Sequence, residues 1–266
     1  MDWVEAVRRE TEKFPGTAGV VVSSLADGEG LRHNADRVFS SASLIKLGVL
    51  YTLFVKQSSG EIDLGECCEF SSLTAVEGGL LHRTRSGARL RLDDLALLMV
   101  SVSDNTAANM LIERLGMDAV NAEFKAMGLS GTVLGRKMLD FKAKKEGRDN
   151  FTTAGDMALL LETLHSGERL PQETKNRMME ILSAQKLNTK LPGLIPLLDV
   201  DDVEQFLAHK TGELPGNEHD VGIFFYRGKR PVVVSVLTEG LKDRVEGVNF
   251  CARLGRLIYT AFHDRQ

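Results

Sequence analysis

β-Branched apolar runs stand near both ends of this chain, and the long stretch between them carries helical periodicity. Near the start, Val20-Val21-Val22 follows Pro15-Gly16, and Asp27-Gly28-Glu29-Gly30 signals a turn into a second strand near Leu31. Near the end, Val221-Gly222-Ile223-Phe224-Phe225-Tyr226 and Val232-Val233-Val234-Ser235-Val236-Leu237 flank Arg227-Gly228-Lys229-Arg230-Pro231, the composition and length of a hairpin. From about Ser43 to residue 200 the spacing predicts helices. The first runs through Leu44, Leu47, Leu50, Leu53 and Phe54, with Ser40 and Ser41 as candidate caps. Its apolar residues wrap most of the circumference, so it is expected at the centre of the fold. Others cover 92–100, Thr106–Leu115 closed by Gly116, 153–165 and 173–183. An amphipathic helix over 2–13 opens the chain, and one over 242–262 closes it, with Val245, Val248, Leu254, Leu257 and Ile258 as apolar positions. Strands at the two ends can bury themselves only against each other. The expected fold is therefore α+β: an antiparallel sheet from both termini with flanking helices, plus an inserted all-helical lobe. One domain over 1–266 is expected, with an α/β lobe of about 1–40 and 205–266 and a helical lobe of about 41–204.

Composition narrows the function classes. With 266 residues, 43% of them hydrophobic, the chain can bury a substantial core. A net charge of −4 leaves no electrostatic footprint for nucleic acid. The densest basic cluster (Lys142, Lys144, Lys145, Arg148) is offset by Asp140, Glu146 and Asp149, and reads as a solvated loop. Cys67, Cys68 and Cys251 make no disulfide framework, and the histidines show no metal-ligand spacing, so neither a metal nor a cofactor is expected. No apolar run approaches the roughly 18 residues of a membrane span. The acidic N-terminal decapeptide does not read as an export signal. As written, the chain is expected in the cytoplasm; it is expected outside if an export signal has been removed. Nothing in the sequence fixes an oligomeric state.

Three short motifs carry chemistry: Ser43-Leu44-Ile45-Lys46, Ser103-Asp104-Asn105 and Lys210-Thr211-Gly212. A serine hydroxyl is a weak nucleophile until a base takes its proton. At i and i+3 on a helix, Ser43 and Lys46 share a face, and Lys46 can act as that base if burial or nearby positive charge lowers its pKa. At a helix N-terminus, Ser43 would also have a backbone N–H and the helix dipole to favour an oxyanion. Ser103 can relay a proton to a leaving amine, and Asn105 can bond a substrate amide; Asp104 more plausibly orders the loop. Read alone, this segment serves equally as a cap for the helix beginning near Thr106, with Asn105 as N-cap. Lys210 and Thr211 suit a substrate carboxylate, and Gly212 leaves room for substrate backbone. Each motif read singly also fits an ordinary surface or strand end. A second Ser-x-x-Lys, Ser183 to Lys186, fails on order because it follows Ser103-Asp104-Asn105.

The ordered trio resembles the class A β-lactamases and penicillin-binding proteins. So do the longer run from Ser103 to Gly116 and the stretch Ala208 to Gly212. The resemblance implies that Ser43 is acylated with help from Lys46 and that Ser103 protonates the leaving nitrogen. It further implies that Asn105 holds a substrate side-chain amide and that Lys210 and Thr211 bind its carboxylate, with Gly212 beside them in the substrate-binding stretch. The backbone N–H groups of Ser43 and Glu213 would make the oxyanion hole. The implied substrate is a β-lactam, or an acyl peptide or ester.

The chain also departs from that family. Class A enzymes carry a glutamate in a Glu-x-x-Leu-Asn segment, before a Thr-Thr pair, that activates the deacylating water. Counting from Arg136, Met138 stands in the glutamate's place and Lys142 in the asparagine's, ahead of Thr152-Thr153. A thioether is no general base; Asp140 is the nearest weak candidate. Glu213 is unusual too, since a small or hydroxyl residue is common there. Three readings follow: a β-lactamase-type hydrolase slowed by Met138, a DD-carboxypeptidase- or esterase-like serine hydrolase, and a non-catalytic, sensor-like module that stays acylated.

Overall fold

In a computed structural model, residues 3–26, 28–196, 202–225 and 231–263 are described. The chain opens with helix α1 (Trp3–Glu12), strands β1 (Thr17–Ser24), β2 (Gly30–His33) and β3 (Val38–Ser40) and a 3₁₀ turn (Ala42–Ile45) leading into α2 (Lys46–Ser58). Then come β4 (Cys67–Glu69), β5 (Arg89–Arg91), α3 (Leu92–Ser101), α4 (Asn105–Leu115), α5 (Met117–Ala126), α6 (Phe141–Lys145), β6 (Phe151–Thr153), α7 (Ala154–Ser166) and α8 (Gln172–Ser183). It closes with α9 (Val203–Phe206), β7 (Leu207–Leu214), β8 (Asn217–Phe224), β9 (Val232–Glu239) and α10 (Arg244–His263).

The main sheet is antiparallel, in the order β2-β1-β9-β8-β7. It is built from both ends of the chain, as their strand signals predict. β1 and β9 read as continuous apolar runs because both faces of the sheet are covered. Val20 and Val22 enter the core with α1 and α10, while Val21 points to the helical side. Val232, Val234 and Val236 alternate with Val233 in the same way.

α2 is the central helix its wrapped pattern predicts: every residue from Lys46 to Val55 is buried. Gly48 allows this, since a Cβ there would lie 2.0 Å from the Phe124 ring of α5. The proposed caps differ. Ser41 precedes the 3₁₀ turn but its hydroxyl bonds the Ala42 carbonyl, and Ser40 ends β3. On α10, Val245 is exposed rather than apolar-facing, because the helix makes its apolar contacts further along, at Phe250, Leu254 and Ile258.

The middle of the chain is not wholly helical. β4 pairs β5, and β3 pairs β6. Three-residue strands are too short for an alternating pattern to declare them. The basic cluster near Lys142 is solvated but includes the one-turn helix α6 rather than a plain loop. Asp27 and the hairpin tip at 226–230 lie outside the described residues.

Candidate active site

Helix α2 carries Lys46 into the interior, where its side chain is completely buried. Its Nζ donates to the Ser103 carbonyl at 2.6 Å, to Ser103 Oγ at 3.1 Å and to Asn105 Oδ1 at 2.8 Å. None of these described bonds reaches Ser43, which sits one turn earlier in the 3₁₀ segment; the regular helix begins only at Lys46. Burial, and then the Lys210 charge, hold the Lys46 pKa well below its ordinary value against an opposing pull from Asp104. Burial and a nearby positive charge are the two influences that favour the unprotonated amine of a lysine.

Ser103 lies between two lysines. Lys210, arriving on edge strand β7, donates from Nζ to Ser103 Oγ at 3.0 Å and to the Thr211 carbonyl at 2.9 Å. Burial first, and the Lys190 charge second, lower its pKa to about 7 against Asp220 and Glu213. The chain Lys46–Ser103–Lys210 joins α2, the α3–α4 connection and the sheet edge.

Asp104 orders this connection, as the sequence suggests, and it is Asp104 rather than Asn105 that caps α4. Its fully buried carboxylate accepts from the N–H groups of Leu80 at 2.6 Å, Leu81 at 2.8 Å and Ala107 at 2.9 Å. Only glycine fits opposite: Gly79 has φ +82°, and a Cβ there would strike Asp104 at 2.4 Å. Asn105 is thereby free to bond Lys46, and its Nδ2 donates to the Glu77 carbonyl.

A cavity of about 70 Å³ is lined by Ser43, Asn105, Met138, Asp149, Glu213 and Leu214, among others. Gly212 brings β7 close to Ser43's turn: a Cβ there would sit 3.2 Å from Ala42 Cβ. Of the four non-glycine residues with positive φ among those described, three belong to this region: Ala42 (47°), Ser103 (54°) and Leu139 (59°). Such strain persists where surrounding packing enforces it, often at functional sites.

The segment 136–150 forms a compact loop with pinned ends. Asn150 Oδ1 accepts from the N–H groups of Gly135 at 2.9 Å and Arg136 at 3.0 Å, and Arg136 pairs with Asp149 at 2.8 Å. Asn109 clamps Met138 from both sides, accepting its N–H at 2.7 Å and donating to its carbonyl at 3.1 Å. Met138 is buried in the helical core.

Asp140 is placed elsewhere. It is exposed, does not line the cavity, and caps α6 by accepting the Ala143 N–H at 2.9 Å. The carboxylates that do line the cavity are those of Glu213 and Asp149, and the more enclosed of the two is Asp149. Although burial pushes its pKa up, the Asn150 N–H and the Arg136 guanidinium hold it below the usual carboxylate range.

Sequence reasoning missed the roles of Asn109, Asp149 and Lys190. Asn109 was legible only as the residue one turn beyond Asn105 on the same helix; Lys190 lies in irregular chain and gave no signal. The second Ser-x-x-Lys is a surface feature, with Lys186 paired to Glu204 at 2.5 Å. No metal-binding cluster of His, Cys, Asp or Glu occurs among the described residues, and none of their helices is long and apolar enough to cross a membrane.

The chain is similar in sequence and fold to known proteins. A β-lactamase of Rhodobacter capsulatus is 29% identical over 180 residues, 66% of this chain and 61% of that protein. The matched stretch thus spans under two thirds of that relative. The crystal structure of a β-lactamase from Sphaerobacter thermophilus is 30% identical, covers 98% of both chains and superposes with a TM-score of 0.86. A mutant of PBP-A, solved as an acyl-enzyme complex with penicillin G, is 28% identical, covers 98% of this chain and 96% of its own, and gives a TM-score of 0.85. The sequence model of the beta-lactamase enzyme family matches residues 3–262, and the chain belongs to that family.

Proposed function

We propose that the protein hydrolyses the β-lactam amide through an ester on Ser43. The observation that carries this reading is the buried Lys46–Ser103–Lys210 chain, with bonds of 3.1 and 3.0 Å to one hydroxyl. The Ser43 oxygen attacks the lactam carbonyl carbon, and its proton passes to Lys46 in its unprotonated form, which burial and the Lys210 charge favour. The carbonyl electron pair moves onto oxygen, where the N–H groups of Ser43 and Glu213 receive it. On collapse the C–N bond breaks. The departing nitrogen takes the Ser103 proton, and Lys46 returns one to Ser103 Oγ, leaving the amine neutral again. Lys210 Nζ, on the other side of that hydroxyl, favours the transient alkoxide and together with Thr211 receives the substrate carboxylate, while Gly212 leaves room for substrate backbone. Asn105 is assigned the substrate's side-chain amide.

Hydrolysis of the ester adds water across the acyl–oxygen bond, returning the proton to Ser43, and needs a base beside that water. Met138 supplies none. Asp140 is engaged as a helix cap, which disfavours it as the substitute. Slow turnover is the expected result. The same observation favours, as a second reading, a module that acylates and stays modified; the DD-peptidase- or esterase-like alternative shares the acylation steps.

Intact mass spectrometry after mixing with penicillin G, with Ser43→Ala as control, separates these readings. A transient adduct with accumulating penicilloate is expected. An adduct persisting for hours without product supports the sensor-like reading, and no adduct with retained ester hydrolysis supports the third.

A further inference from the structure

Lys190 takes no part in the acylation chain, yet its side chain is fully buried beside it. Nζ donates to the Gly212 carbonyl at 3.0 Å and to the His219 carbonyl at 3.1 Å, and pairs with Glu218 at 2.7 Å and Glu213 at 3.4 Å. Arg244 completes the cluster, donating to Glu218 at 2.9 Å and reaching Glu213 at 3.4 Å. Among the described residues the partners of the Lys190 nitrogen are acceptors, two of them carboxylates, which suits an ammonium. Removing an ammonium from water is costly, so a buried one must be well compensated.

Of the groups this nitrogen faces, the one on β7's backbone is the peptide link from Gly212 to Glu213. In a trans peptide the carbonyl and the following N–H point in opposite directions, and no cis bond occurs among the described residues. The Gly212 carbonyl, opposite His219 on β8, is held by Lys190. The Glu213 N–H therefore points away from β8. β7 is the edge of the sheet, so no further strand takes that N–H. The 3₁₀ turn lies beside this stretch of β7: a Cβ on Gly212 would meet Ala42 and Leu44, and Glu213 lines the same cavity as Ser43.

We propose that Lys190 is a positioning residue for the oxyanion hole: its ammonium fixes and polarises the Gly212–Glu213 peptide, whose N–H receives the developing oxyanion. The proposal rests on the acyl-serine reading above. A hydrogen bond accepted at one end of an amide strengthens donation at the other. As the attacked carbonyl carbon becomes tetrahedral and its electron pair moves onto oxygen, the Glu213 N–H meets that charge already polarised. Lys190 takes no part in the proton transfers and touches no substrate atom. Its nitrogen is already engaged by the Gly212 and His219 carbonyls and by Glu218.

The test compares wild type with Lys190→Met, Lys190→Arg and the double variant Lys190→Met/Glu218→Gln, which leaves no uncompensated carboxylate if the single variant fails to fold. Acylation is followed with penicillin G and with p-nitrophenyl acetate, which has no carboxylate. Infrared difference spectra record the acyl-ester carbonyl band of the penicillin adduct. Loss of a whole oxyanion donor costs about 10²–10³-fold, so loss of its polarisation should slow acylation by about tenfold with both substrates. The saturation constant should hold, and the carbonyl band should move to higher wavenumber. Lys190→Arg should restore most of both. An unmoved band in a variant that merely melts lower overturns the proposal, as does a loss confined to penicillin. Unchanged acylation and spectrum in a folded double variant also overturn it. A wild-type protein that forms no penicillin adduct and no acetyl-enzyme sinks the acyl-serine reading itself.

Discussion

The two halves of the candidate cycle are built very differently. On the side where the ester would form, a buried lysine, a bridging hydroxyl and a second buried lysine lie within 3.1 Å contacts. On the side where it would be cleared, a buried methionine is held just as firmly, with Asn109 bonded to both its N–H and its carbonyl. The loop is therefore no less ordered than the acylating side; it differs in what it presents. Precision of placement and competence for a step are separate properties, since a well-fixed thioether cannot accept a proton.

That contrast breaks first at Lys46. Lys46→Met should slow penicillin acylation by about 10²–10⁴-fold, measured as the rate of adduct growth, while ester already formed should clear no more slowly than in wild type. Rapid acylation in this variant would place the base elsewhere.

Met138→Glu addresses the opposite half. The new carboxylate should speed loss of the adduct by about 10²-fold or more and leave adduct formation nearly unchanged. Burying it should also lower the melting temperature, because Met138 lies in the helical core. Clearance as slow as in wild type would show that the loop's deficit is not simply a missing base.

The pH dependence sharpens the binding side. Lys210, with a pKa of about 7, loses its charge as pH rises through neutrality. KM for an anionic penicillin should rise by about tenfold between pH 6 and 9, with a smaller change for a substrate lacking the carboxylate. In stability the sign reverses. Between about 7 and the unfolded lysine value near 10, the unfolded chain binds the extra proton, so this group makes the fold more stable as pH rises. Denaturation midpoints across that range check the second effect.

The smallest effect belongs to Asp140→Ala. It removes the α6 cap and should cost about 1 kcal/mol, with adduct clearance unaltered. A marked slowing of clearance would restore Asp140 as a candidate base.

Much of this was legible in the sequence, for identifiable reasons. Valine runs such as Val232-Val233-Val234 declared strands buried on both faces, and the wrapped pattern of Leu44 to Phe54 declared a central helix. The motifs named Ser43, Lys46, Ser103 and Lys210 because their residue types and order are distinctive. What stayed hidden depends on contacts distant along the chain. Nothing near Lys190 in sequence predicts that it meets Gly212 and Glu218. The cap at Asp104 was misassigned to its neighbour because Asp and Asn are both good caps. The bond that Asp104 accepts from the Ala107 N–H distinguishes them.

The left-handed backbone at Ala42, Ser103 and Leu139 has a consequence for how this protein can change. Each such residue costs on the order of 1–3 kcal/mol, and glycine at Ala42 or Leu139 would relieve part of it. The same replacement would let the turn beside Ser43, or the loop beyond Met138, explore other shapes. Variants gathered for heat tolerance alone would therefore drift toward a slacker cavity, and variants gathered for rapid acylation would keep the awkward residues and melt sooner.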